Sequence, residues 1–274
     1  MHYAELAQAR AELTGPGGPF EITTVAINGI PVRAYRHALP DVRAFWQSTL
    51  PFADRTYLVY GDERLTYAEA HARVAAIAAW LAAQGVGSGD RVAIAMRNYP
   101  EWLLIYWACV SCGIAVVGMN AWWTPEEMAY ALADSAPRML FLDAERLDRY
   151  RQMAAPPAGL GLVGVRLAGA EPGVTPFDDV VAHGGALPDV AIDPDADACI
   201  FYTSGTTGFP KGAQLTHRGC ITNLFNMLYA AASTALAVQR ATGVAPPATP
   251  PVPVTLLTTP LFHVTANNCG AYAT

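Results

Sequence analysis

The strongest constraint on the fold is a short apolar run that ends in a glycine-rich loop. Cys199, Ile200, Phe201 and Tyr202 have the length and bulk of a buried strand. They lead into Thr203-Ser204-Gly205-Thr206-Thr207-Gly208-Phe209-Pro210-Lys211-Gly212. Gly205, Gly208 and Gly212 let the backbone turn sharply and approach a ligand closely. Thr203, Ser204, Thr206 and Thr207 supply short hydroxyl donors, and Lys211 supplies a mobile positive charge. Backbone N–H groups, hydroxyls and an ammonium together match a triphosphate, whose charge sits on oxygens that accept hydrogen bonds.

Lys211 is the only lysine in the chain, and the other sixteen Lys/Arg residues are all arginine. A lysine is a compact point charge on a flexible stem, suited to following phosphates through a reaction. The Walker pattern G-x-x-x-x-G-K-[ST] does not fit, because Pro210 precedes Lys211 and Gly212 follows it, with no hydroxyl placed for magnesium. Tyr202 to Gly212 instead resembles the phosphate-loop signature of the adenylate-forming superfamily, with only Phe209 at a free position. That superfamily includes acyl-CoA synthetases, peptide-synthetase adenylation domains and firefly-type luciferases.

The remaining pattern predicts an α/β fold, a parallel sheet flanked by helices. Thr66-x-x-Glu69 is a capping box that starts a helix with Val74, Ile77 and Leu81 on one face, and Gly85 ends it. Before it, Val42 to Leu50 reads as a helix, and Tyr57 to Tyr60 with Leu65 to Tyr67 as a hairpin. Arg91 to Met96 is an apolar strand. Pro100-Glu101 opens a helix that Gly113 closes, and Ile114 to Met119 is a strand. Thr124-Pro125-Glu126-Glu127 is a second capping box, and Met139 to Leu142 another strand. Strands alternating with helices over short turns make a parallel sheet covered on its faces. Residues 1–39 read as an irregular leader, broken at Gly15-Pro16-Gly17-Gly18-Pro19, with one short strand within Ile22 to Ile30. Residues 152–195 read as a connection with a strand at Leu162 to Leu167. Ala213 to Thr216 reads as the return strand of a phosphate hairpin, His217 to Leu236 as a helix, and Val254 to Thr258 as a strand.

Composition excludes several classes. The chain is 53% hydrophobic and 15% charged over 274 residues, enough for a large core. A net charge of −6 argues against non-specific nucleic-acid binding, which needs a basic face. Five cysteines at irregular spacings fit a reducing, cytoplasmic setting. Cys109-x-x-Cys112 lies in an apolar run and reads as buried structural cysteine. Trp102 to Trp123 is uncharged and long enough to span a bilayer. Gly113 splits it into a helical half and a strand-like half, so no integral membrane span is expected. Asp193, Asp195 and Asp197 read as solvated loop acids rather than a metal site.

The resemblance extends over residues 40–274. The run from Tyr67 through Asp143 looks like the front half of an acyl-CoA synthetase, and Pro260-Leu261-Phe262-His263 resembles the next motif in such enzymes. It implies the N-terminal portion of an AMP-binding domain with its phosphate loop at 202–212. It also implies a two-step reaction with ATP, Mg2+ and CoA. A carboxylic acid attacks the α-phosphate, giving an acyl-adenylate and pyrophosphate, and a thiol then displaces AMP. The role of holding the phosphates falls on Thr203, Ser204, Gly205, Thr206, Thr207, Gly208 and Lys211, with Lys211 the catalytic residue. His263 becomes a wall that orients the carboxylate. Phe262, Trp122 and Trp123 would line an apolar pocket or belong to the core, and a fatty or similarly apolar acid is the expected substrate.

The resemblance further implies that the magnesium-binding Glu, the ribose-binding Asp, the hinge and a C-terminal domain with a second lysine lie outside residues 1–274. The expectation is therefore an incomplete enzyme with an exposed apolar face. The alternatives are a peptide-synthetase-type adenylation domain and a non-catalytic nucleotide-binding fragment or pseudo-enzyme. The acid, the thiol acceptor and the oligomeric state stay open.

Overall fold

The computed structural model describes residues 3–203, 208–245, 247 and 252–272. The elements run α1 (Tyr3–Thr14), β1 (Ile22–Ile27), β2 (Ile30–Tyr35), α2 (Val42–Gln47), β3 (Thr56–Tyr60), β4 (Glu63–Thr66) and α3 (Tyr67–Ala83). The central part follows as β5 (Arg91–Ala95), α4 (Pro100–Val110), β6 (Ala115–Gly118), α5 (Pro125–Ser135), β7 (Met139–Leu142), α6 (Ala144–Arg151) and β8 (Gly161–Gly164). The last elements are β9 (Thr175–Pro176), α7 (Phe177–Ala182), β10 (Asp197–Thr203), β11 (Lys211–Thr216) and α8 (His217–Thr242).

Seven strands form one sheet in the order β11-β10-β6-β5-β7-β8-β9. All neighbours are parallel except β10 and β11, which form an antiparallel hairpin. The expected α/β sheet is therefore present. Its layers follow from the period of two in a strand. Val92 and Ile94 of β5, Val116 of β6, Phe141 of β7 and Phe201 of β10 point to one face, into a core with α3, α4, α7 and α8. Ala93 and Ala95, Val117, Leu140 and Leu142, and Ile200 point to the other, against Met128, Ala131 and Leu132 of α5 and Leu147 of α6.

Both capping boxes form. The Thr66 hydroxyl accepts the Glu69 N–H while the Glu69 carboxylate accepts the Thr66 N–H, and Thr124 and Glu127 do the same at α5. In α4 every residue from Trp102 to Val110 is buried, the pattern of a core helix. The uncharged run Trp102 to Trp123 is thus the buried α4, the buried β6 and a following loop rather than one continuous helix. Among the described residues one helix, α8, is long and apolar enough to cross a membrane by length and composition.

Four expectations need correction. Residues 3–35 are not irregular: α1 packs on α8, its Glu12 pairs with Arg240, and β1 and β2 form a hairpin. The reading of Ile22 to Ile30 as one strand missed the turn at Asn28-Gly29, where both residues have positive φ (49° and 77°). Residues 152–195 contribute to the core through Phe177 and Val180 of α7. Val254 to Thr258 is not a strand: Val254 and Leu256 lie in solvent, at 92% and 86% exposure.

Candidate active site

β10 carries the phosphate loop to the carboxyl end of the sheet, the end at which open α/β sheets bind ligands. Thr203 pairs with Lys211 and Tyr202 with Gly212, so the expected return strand pairs with β10 as a hairpin. The Thr203 hydroxyl donates to the Lys211 carbonyl at 3.4 Å. Ser204, Gly205, Thr206 and Thr207 lie outside the described residues. Gly208 has φ of 121°, a conformation that a side chain would strain. Lys211 is exposed.

The hairpin is braced from α5. The Tyr202 hydroxyl donates to the Asp134 carboxylate at 2.6 Å, and its ring meets Trp123 edge-on at 5.5 Å. Burial, then the neighbouring carboxylate, push the Tyr202 phenol upward, so it stays a protonated donor. Phe209 stacks on Tyr130 at 4.5 Å with an interplanar angle of 18°. Trp123 therefore belongs to the core, as one of the two sequence readings held.

The Pro260-Leu261-Phe262-His263 segment lies over the same edge. Gly118 pairs with Phe201, and a Cβ on Gly118 would stand 2.8 Å from the Phe201 ring and 3.5 Å from the Phe262 Cα. Glycine here lets the segment rest directly on β6. Phe262 meets Trp122 edge-on at 5.2 Å, and Trp122 is 57% exposed. The His263 side chain is exposed, and its Nδ1 accepts the Thr265 N–H at 3.2 Å. Nε2 is then the ring nitrogen that carries a proton.

Three supporting arrangements were not visible in the sequence. Asn98, just beyond β5, bonds the backbone of residues 257–261. Asp143 caps α6, accepts the Arg97 N–H and pairs with the buried Arg146, whose guanidinium also donates to the Ala121 carbonyl. That pair, with Arg149 on the Trp123 carbonyl, holds the loop that presents Trp122. Beneath the site lies a buried polar cluster. Asn268 Nδ2 stands 3.2 Å from Cys220 Sγ, the Cys199 and Cys220 sulfurs are 3.9 Å apart, and the Tyr106 and Tyr272 hydroxyls share a 2.5 Å bond. Nothing in the spacing of these residues announces them, since their partners lie far away in the chain.

Other candidates have plainer fates. Asp195 forms a bidentate pair with Arg218, at 2.7 and 3.0 Å, rather than a metal site. Cys109 and Cys112 are buried, and burial pushes the Cys112 thiol up to about 11, which leaves it unreactive.

A family model described as AMP-binding enzyme matches residues 45–274, and the chain belongs to that family. It is 33% identical to 4-coumarate–CoA ligase 3 of Oryza sativa subsp. japonica over 204 residues, 70% of this chain and 36% of that protein. It is 36% identical to the medium/long-chain-fatty-acid–CoA ligase FadD6 of Mycobacterium tuberculosis over 173 residues, 61% of this chain and 27% of that protein. Among solved structures, a putative long-chain-fatty-acid CoA ligase from Rhodopseudomonas palustris superposes with a TM-score of 0.68 at 22% identity, over 86% of this chain and 55% of that one. This last match speaks to the fold alone. The chain spans about a third of the length of the curated relatives it matches.

Proposed function

We propose that this chain is the phosphate-gripping portion of an ATP-dependent acid–thiol ligase acting on an apolar carboxylic acid, aromatic or fatty, with CoA as the thiol. The observation that carries the reading is the hairpin Thr203–Lys211, set at the carboxyl edge of a parallel sheet in a chain of the AMP-binding family. A carboxylate resists nucleophiles. Its oxygen attacks the α-phosphorus of ATP, the bond to the bridging oxygen breaks, and pyrophosphate leaves. The thiol then gives up its proton to solvent, its sulfur attacks the acyl carbon, the bond from that carbon to the phosphate oxygen breaks, and AMP departs.

Lys211 and the loop from Thr203 to Gly208 hold the β- and γ-phosphates and neutralise the charge that gathers on pyrophosphate as it leaves. His263 offers its Nε2 proton to the carboxylate, and Phe262 with Trp122 form an apolar wall. Mg2+ enters with ATP as part of the substrate. Among the described residues no group of three or more acidic, histidine or cysteine side chains is arranged to hold a metal ion. The five unpaired cysteines support a reducing, cytoplasmic setting.

The test is ATP–pyrophosphate exchange with a panel of benzoate, 4-coumarate and octanoate. Exchange that depends on one of these acids is expected in a longer polypeptide that contains this chain, and residues 1–274 alone are expected to lack it. ATP binding with no acid-dependent exchange would instead support a non-catalytic nucleotide-binding protein.

A further inference from the structure

The segment that ends in His263 has no regular structure of its own. Val252, Val254 and Leu256 are exposed, and Leu257 is the first side chain to anchor, against Gly270. Among the described residues, the hydrogen bonds that tie residues 252–262 to the sheet all end on Asn98. Its Nδ2 donates to the carbonyls of Thr259 at 2.9 Å and Leu257 at 3.3 Å, and its Oδ1 accepts the Leu261 N–H at 2.8 Å. Two carbonyls on one side and an N–H on the other fix which way the carboxamide points. Both its donors and an acceptor are engaged with the backbone of a single segment. No other side chain of this size supplies two donors and an acceptor, so the position requires Asn.

We propose that Asn98 is a positioning residue for the acid site. It fastens residues 257–261 to the carboxyl end of β5, and this sets the place of Phe262 and His263 over Gly118. The role in catalysis rests on the function proposed above. Asn98 reaches the acid only through the segment it holds, so its loss misplaces the wall and leaves the phosphate hairpin on β10 untouched.

The experiment compares the wild type with Asn98→Leu, which keeps the branched shape and loses all three bonds, and Asn98→Asp, which keeps only the acceptor. Amide hydrogen exchange is read alongside steady-state kinetics. In Asn98→Leu the Leu261 amide should exchange at least about tenfold faster while the α4 amides are unchanged. KM for the acid should rise and KM for ATP stay within about twofold, with kcat/KM for the acid down on the order of 100-fold. Asn98→Asp should recover part of this loss as the pH is lowered, because a protonated carboxyl regains one donor. Unchanged Leu261 exchange, or the two KM values rising together, would overturn the proposal. If the wild type shows no acid-dependent activity, the functional reading fails on its own, and Leu261 exchange in the two variants decides the case for Asn98. Should Asn98→Leu not fold, Asn98→Asp carries the same readouts.

Discussion

In β6 and β7 every residue is buried, whereas in β11, separated from β6 only by β10, the residues from Lys211 to Gln214 are exposed. The two regions belong to one sheet and share its hydrogen-bond ladder, yet different forces hold them. The centre is held by side chains: α4 fills one face with Trp102, Leu104, Tyr106 and Trp107, and α5 and α6 fill the other. The hairpin is held by backbone pairing to β10 and by a few braces such as Tyr202 to Asp134. Burying apolar surface stabilises by roughly 25 cal/mol per Å2, so the centre carries the stability. The hairpin leaves its polar backbone open at the edge. On the function proposed above, stability and ligand chemistry are kept on different strands.

Four variants would break or sharpen that separation. Trp102→Ala strikes the centre: the side chain is fully buried, and its Nε1 donates to Asn267 at 3.1 Å. A loss of about 3–5 kcal/mol is expected in denaturant unfolding. A loss below about 1 kcal/mol would mean the centre is not the main support. Lys211→Ala strikes the hairpin. Acid-dependent exchange should fall about 10²–10³-fold, while unfolding free energy moves by less than about 0.5 kcal/mol. Destabilisation on the scale of the core variant would erase the contrast.

His217 joins the two regions, since it follows β11 and its Nδ1 accepts the Val42 N–H at 3.3 Å. It is fully buried, and burial pushes its pKa down to about 4 from the usual 6.5, with Asp41 and Asp193 opposing. The folded state therefore favours neutral imidazole. The stabilisation is complete above pH 6.5 and declines as the pH falls toward 4, by about 3 kcal/mol in all. Unfolding measured across that window should show the slope, and His217→Gln should flatten it. An unchanged slope in the variant would assign the acid sensitivity elsewhere. The smallest effect is expected for Thr124→Ala, which removes the cap of α5, the helix that braces the hairpin through Tyr130 and Asp134. A cost of about 1 kcal/mol, read as a few degrees in Tm, is expected. A fall in exchange activity larger than the stability loss would show that α5 bracing also tunes the loop.

The centre was legible because its elements carry local signals. Short continuous apolar runs mark β5 and β7, as expected of strands buried on both faces, and the two capping boxes mark the starts of α3 and α5 by residue type alone. The hairpin was legible for a different reason, because its chemistry is written in consecutive residues. α1 was missed because only Ala9 is buried, so no apolar stripe marks it, and contact with α8 stabilises it instead. The β1–β2 turn carries a legible signal, since Asn28-Gly29 is a strong hairpin dipeptide. Val254 to Thr258 misled by composition: its apolar residues suggested a strand, but no neighbour pairs with it in the described structure. Asn98 and Asp134 were invisible for a simple reason. Each is an ordinary polar residue until the fold brings its partner near, and for Asn98 that partner is about 160 positions away.

The cluster of Cys199, Cys220 and Asn268 with Tyr106 and Tyr272 also bears on how the sequence can drift. Its polar atoms are sealed from water and satisfy one another, so replacing one leaves another without a partner. These five positions sit on β10, α4, α8 and the turn after His263, yet they behave as one heritable character. A descendant chain keeps the whole set or exchanges it together. Aligned homologues should therefore show the five changing in concert.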